Sequence, residues 1–167
     1  MDVPSALTCQ YHAALKALRE AIDLCPEPMW NDPADGRAPF WRVAYHTLFF
    51  THLYLQRDVD SFAPWARGRP EAQCLDGVPW DNWRPPKPCA PYTRGDILEY
   101  WGLCDGMIDS GVAALDLSAP ECGFPWYHMP KLEHQINNIR HIQHHAAILS
   151  ARLRRAAGID IHWVGRA

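Results

Sequence analysis

Apolar positions recur at three- and four-residue spacing in four stretches of the chain, and clusters of proline separate those stretches. In the first, residues 5–24, Leu7, Tyr11, Ala14, Leu15, Leu18 and Ile22 line up on one side, with Ser5 as the expected N-cap. The second, residues 40–58, puts Val43, His46, Phe49, Phe50 and Leu53 on one face. The third follows Thr93, a capping residue with Asp96 in the first turn, and its stripe runs Ile97, Trp101, Cys104, Ile108, Val112, Leu115. The fourth, residues 130–157, carries Leu132, Ile136, Ile139, Ile142, Ala146, Leu149 and Leu153, and Gly158 closes it. No stretch alternates with the period of a strand. The pattern predicts an all-α chain: a four-helix bundle, one domain over residues 1–167, with a long crossover connection between helices two and three.

That connection, residues 59–92, is too long for a tight turn between antiparallel helices. Its tryptophans, Trp65, Trp80 and Trp83, are expected to pack on the bundle and help enclose a site. Composition agrees with a packed core, since 48% of the 167 residues are hydrophobic and only 21% charged. A net charge of −3, without a Lys/Arg run, argues against a nucleic-acid partner. No run approaches the roughly 18 apolar residues of a membrane span, and the N-terminus lacks the charged and apolar regions of a secretory signal, so a soluble protein of a reducing compartment is expected. The six cysteines form no CxxC pair, and Cys104 on the apolar stripe reads as a small core residue.

The nine histidines change the picture more than any other residue type. His141 and His145, four apart, lie about 40° apart around a helix, so both rings can reach one ion. They flank the apolar stripe and face inward, His134 follows the same line, and His144 faces out. His46 sits mid-face on helix two among large apolar residues, where its nitrogens need a partner. His52 points to another side. His46, His141 and His145 are thus candidate ligands of a three-histidine site with positions left open for water or substrate. His134 and Asn138, one turn before His141, are candidates to orient ligands or substrate. The bland alternative is a core histidine plus a solvated histidine-rich face. Other catalytic signatures are absent: in HIQHH, Ile142 stands where a zincin has its glutamate, and no P-loop, GxGxxG or GxSxG occurs. No carboxylate is placed as a general base, Glu133 being off-axis. Imidazole nitrogen suits zinc and nickel alike, and occupancy is expected to fall as pH falls through the histidine range near ~6.5.

The segments INNIRHIQHHAAILSARLR and PFWRVAYHTLFFTHLYL, together with the helix layout, resemble the DinB-like bundle superfamily, the damage-inducible metal-binding family rather than the DNA polymerase sharing that name. In many members the C-terminal histidine cluster is followed by Gly-Gln, whereas Ala146, Ala147 and Ile148 follow here. The resemblance implies a bundle with crossover connectivity and a divalent metal, zinc or nickel, on His46, His141 and His145. It further implies a homodimer, a cytoplasmic setting, a small-molecule substrate and, by analogy with related families, a thiol cofactor. Two functional classes follow: a metal-dependent hydrolase or low-molecular-weight-thiol transferase, or a non-catalytic metal- or ligand-binding bundle associated with stress.

Overall fold

The computed structural model describes residues 2–33 and 38–167, and among them the regular structure is entirely helical. Six helices follow in order: α1 (Val3–Leu24), α2 (Glu27–Trp30), α3 (Phe40–Tyr54), α4 (Arg94–Gly106), α5 (Ile108–Ala114) and α6 (Lys131–Ala157). Among the described residues no helix is long and apolar enough to cross a membrane.

The stripe read for α1 is buried throughout, and it packs on α6, α4 and α5. The helix begins earlier than expected. Asp2, not Ser5, is its N-cap, its carboxylate accepting a hydrogen bond from the Ser5 amide at 2.9 Å. The third stripe is two helices, because the backbone breaks at Met107 just after Gly106; glycine weakens the helix there. Ile97, Cys104, Ile108 and Val112 nevertheless share one buried face across the break. A capping box at α4, in which Thr93 and Asp96 satisfy each other's backbone amides, fixes its start as the spacing predicted. The second helix stops at Tyr54 rather than continuing to residue 58, and α6 ends on Gly158 in the left-handed conformation. Ile136, expected on the α6 stripe, is 48% exposed.

Helix α3 lies between α6 and α4, and the four longest helices pack in the cycle α1, α6, α3, α4. Aromatic rings occupy the space between α3, α4 and the 55–93 connection. Trp65 stacks on Tyr100 with centroids 4.6 Å apart, and Tyr45 on Tyr92 at 4.7 Å. Trp30, buried in the single turn of α2, donates its indole hydrogen to the Tyr92 carbonyl at 2.8 Å and ties down the end of the connection. The expectation that this segment packs on the helices therefore holds for Trp65, Ala72, Val78 and Tyr92, all buried. It fails for Trp80 and Trp83, each 67% exposed. The cause is local: Asn82 and Trp83 adopt left-handed backbone (φ 48° and 56°), and the turn closes on itself through Val78 N–H to Arg84 O at 2.9 Å. Both indoles are swung out. Arg84 then locks the turn to Glu71 and Asp81.

The 115–130 connection is fastened to the end of α3 at several points, among them Lys131. The Lys131 ammonium is buried and donates to the carbonyls of Arg57 (2.7 Å) and Cys122, where α3 has just ended. Beside it, Gly123 (φ 85°) accepts from Val59 N–H at 3.2 Å, and a Cβ there would lie 2.5 Å from the Arg57 carbonyl oxygen. Gly123→Ala should therefore lower unfolding free energy by about 1–3 kcal/mol, from backbone strain and the clash together. Urea unfolding of the two proteins checks this, and an unchanged midpoint would show that the loop yields freely.

Candidate metal centre

Helices α3 and α6 pack side by side, and three histidines meet across that contact. His46 comes from the middle of α3, and His141 and His145 from successive turns of α6. One ring nitrogen from each lies within 4.8 Å of the others. The ring centroids are 4.6 Å apart for His46–His145 and His141–His145, and 5.1 Å for His46–His141. The helical phase read from the sequence is reproduced: His145 is buried, whereas His144, next to it in sequence, is exposed.

The protonation pattern follows from one hydrogen bond. His46 Nδ1 lies 2.6 Å from the Gln73 carbonyl oxygen, which can only accept, so Nδ1 carries the hydrogen and Nε2 presents a lone pair. That lone pair faces His141 Nε2 at 3.1 Å. Two imidazole nitrogens bound to one ion at ~2.0–2.1 Å would be about 2.9–3.4 Å apart, depending on the bond angle. A backbone carbonyl holding the far nitrogen of a ligand is also the usual way a metal-bound imidazole is oriented. His145 has no hydrogen-bond partner among the described residues, and the buried Nδ1 atoms of His141 and His145 are likewise unpartnered. His141 Nε2 facing His46, and the His145 ring without any partner, fit a group that supplies what the protein does not. The donor set therefore suits a divalent ion of imidazole preference.

Electrostatics point the same way. Burial pushes His46 down to about 4. Burial and then the neighbouring imidazoles push His141 down to about 3 and His145 to about 2. All three are neutral at pH 7, the form that binds metal. The onset of proton competition in the folded protein consequently lies well below the ~6.5 of a free imidazole.

Phe50, four residues after His46, lays its ring against both His46 (4.8 Å) and His141 (5.7 Å) and walls the centre on one side. Two contributors were not legible in the sequence. Gln73 acts through its backbone carbonyl, which no residue type announces. Asp76, three residues on, brings the negative charge that partly opposes the lowering of His46. It comes from the connection rather than from a patterned helix.

The remaining candidates lie elsewhere on α6. His134 is fully buried among Tyr54, Phe124 and Tyr127, with centroid distances of 4.7–5.2 Å, and its Nε2 has no partner. Asn138 donates to the Tyr11 hydroxyl at 3.0 Å, and that hydroxyl donates to Gln135 Oε1 at 2.8 Å, forming a polar seam between α1 and α6. Neither His134 nor Asn138 hydrogen-bonds to the three histidines among the described residues. Glu133 is exposed, as expected. His52 points away and meets the Tyr100 hydroxyl at 3.2 Å. The six cysteines are all free thiols, and Cys104 is fully buried. Comparison with protein-family models, with curated proteins and with solved structures gave no match to this chain.

Proposed function

We propose that this chain is a metal-dependent enzyme of the DinB-like kind, a four-helix bundle with a long crossover, acting on a small molecule as a hydrolase or low-molecular-weight-thiol transferase. His46, His141 and His145 hold one divalent ion, zinc or nickel, with other positions open to water or substrate. The observation that supports this best is the meeting of three neutral imidazoles on two helices, one of them fixed in tautomer by the Gln73 carbonyl. When bound, the ion supplies Lewis acidity. The protein's own residues do the rest: Gln73 orients His46, Phe50 keeps water from one side, and Asp76 places negative charge near His46. A homodimer in the cytoplasm belongs to the same reading.

The non-catalytic alternative would be favoured by a fourth protein ligand, and among the described residues no carboxylate or cysteine joins the three histidines at ligand distance. Elemental analysis and activity screening divide the cases. About one ion per chain is expected, as for other single sites of this type. Turnover of esters, amides or electrophiles with thiols, lost on chelation, supports the enzyme. Stoichiometric metal without any turnover supports the binding protein. A metal-free chain after growth in metal-supplemented medium overturns both.

A further inference from the structure

We propose that a cleft beside the N-terminal turn of α3 binds a small carboxylate with an apolar body. This inference does not depend on the metal reading. The cleft has a volume of about 430 Å³ and is walled by Pro39, Pro88 and Pro91 with Trp41 and Leu75. That is within the size range of small-molecule sites. Its charged group is Arg42, a residue 8% exposed that lines the space together with the polar Asn31.

Arg42 is anomalous as a buried cation. Its hydrogen-bond partners among the described residues are both neutral: the Cys74 carbonyl at 3.4 Å and the Cys89 sulfur at 3.2 Å, with the Trp41 ring 5.1 Å away. Among the described residues it makes no ion pair, and no acidic residue lines the cleft. Buried charges are ordinarily paired, because desolvation is costly. Two of the five guanidinium donors are used, so a carboxylate can still be met by two parallel hydrogen bonds. A second feature favours an anion at the same place. The N-terminus of the 15-residue α3 opens on this cleft, no side chain caps it, and its dipole adds positive potential. The walls select among anions: prolines, Trp41 and Leu75 reward an apolar body and give a free inorganic anion nothing.

The same geometry links the cleft to the histidines without making one depend on the other. Arg42 and His46 are one turn apart on α3, and they hold the neighbouring carbonyls of Cys74 and Gln73 respectively. A ligand anchored on Arg42 would therefore lie one helical turn from the metal centre.

Cys89 lines the cleft and is half-buried, so its alkylation by iodoacetamide reports occupancy, while half-buried Cys9 on α1 is an internal control. Both are read as separate peptides by mass spectrometry, with benzoate, benzamide or inorganic phosphate as the probe. Benzoate should slow Cys89 about fivefold at roughly four times its dissociation constant, since protection scales as one plus ligand over Kd. Cys9 should not change, and benzamide and phosphate should protect neither. The result should be the same in metal-loaded and chelated protein. Arg42→Gln should abolish protection. If that variant does not fold, the contrast of benzoate with benzamide on the parent chain decides. Equal protection by both, protection by neither, protection by phosphate in place of benzoate, or protection only in the metal-loaded form would each overturn the proposal.

Discussion

His141→Ala and His145→Ala should each weaken zinc or nickel binding by more than about 100-fold, while His144→Ala should keep stoichiometric metal. The bound is set from below: removing a group that merely orients a ligand typically costs 10–100-fold in affinity, and deleting the ligand itself must cost more. His144 makes the comparison internal. It is adjacent to His145 in sequence and its ring is 5.0 Å from that of His145, yet it is exposed and outside the group of three. His46→Ala should match the α6 variants, since the ligand set spans two helices. Metal titration by calorimetry against a competing chelator reads all four proteins. Retention of tight binding by His145→Ala, or its loss in His144→Ala, would place the site on a different face of α6.

Metal-free protein should lose several kcal/mol of stability between pH 7 and pH 5. His46 and His134 are pushed down to about 4, His141 to about 3 and His145 to about 2, in each case by burial first. In the unfolded chain all four return to about 6.5. Below that value the unfolded state binds protons that the folded state refuses, so stability is fully present above pH 6.5 and is lost as pH falls toward 4. Each refused proton contributes a slope of up to about 1.4 kcal/mol per pH unit. His12 works in the opposite sense. Burial would lower it, but Asp105, at 2.7 Å, and then Asp109 raise it. Its contribution is therefore present below 6.5 and lost as pH rises through the raised value. His52 is also pushed down by burial, so one such group against five leaves the net slope unchanged in sign. Urea unfolding with chelator at the two pH values measures the loss. His134→Phe, among three aromatic rings, should reduce the slope by one proton. Equal stability at pH 7 and pH 5 would mean that these imidazoles reach solvent. Added metal should raise stability at both pH values without changing the slope between them, because an ion that binds only the folded state adds to it by mass action and the folded site is already deprotonated there.

Both expectations rest on a division of labour along the chain. Helical spacing told which residues of the α1 stripe are buried, and on α6 the run Ile142, Ala146, Leu149 and Leu153, because 3.6 residues per turn fixes direction once a helix forms; on the first turns of α6 it set Ile136 on the buried side, where the residue is exposed. It also separated His145 from His144. It could not tell that α3 would end at Tyr54 or that the third stripe would break at Met107, since a hydrophobic stripe continues across a bend that keeps its face.

The sequence by itself determined that this protein is helical, where its four apolar stripes run, and that His46, His141 and His145 each face inward. Those properties are local, set by period, caps and proline. Tertiary structure alone decided that the three meet, because their encounter needs α3 beside α6, nearly a hundred residues apart in the chain. It also brought the Gln73 carbonyl to His46, left Arg42 buried without a counter-charge, and turned Trp80 and Trp83 outward. Each of these depends on the path of an irregular connection, where backbone groups act regardless of residue type and no periodicity reports direction.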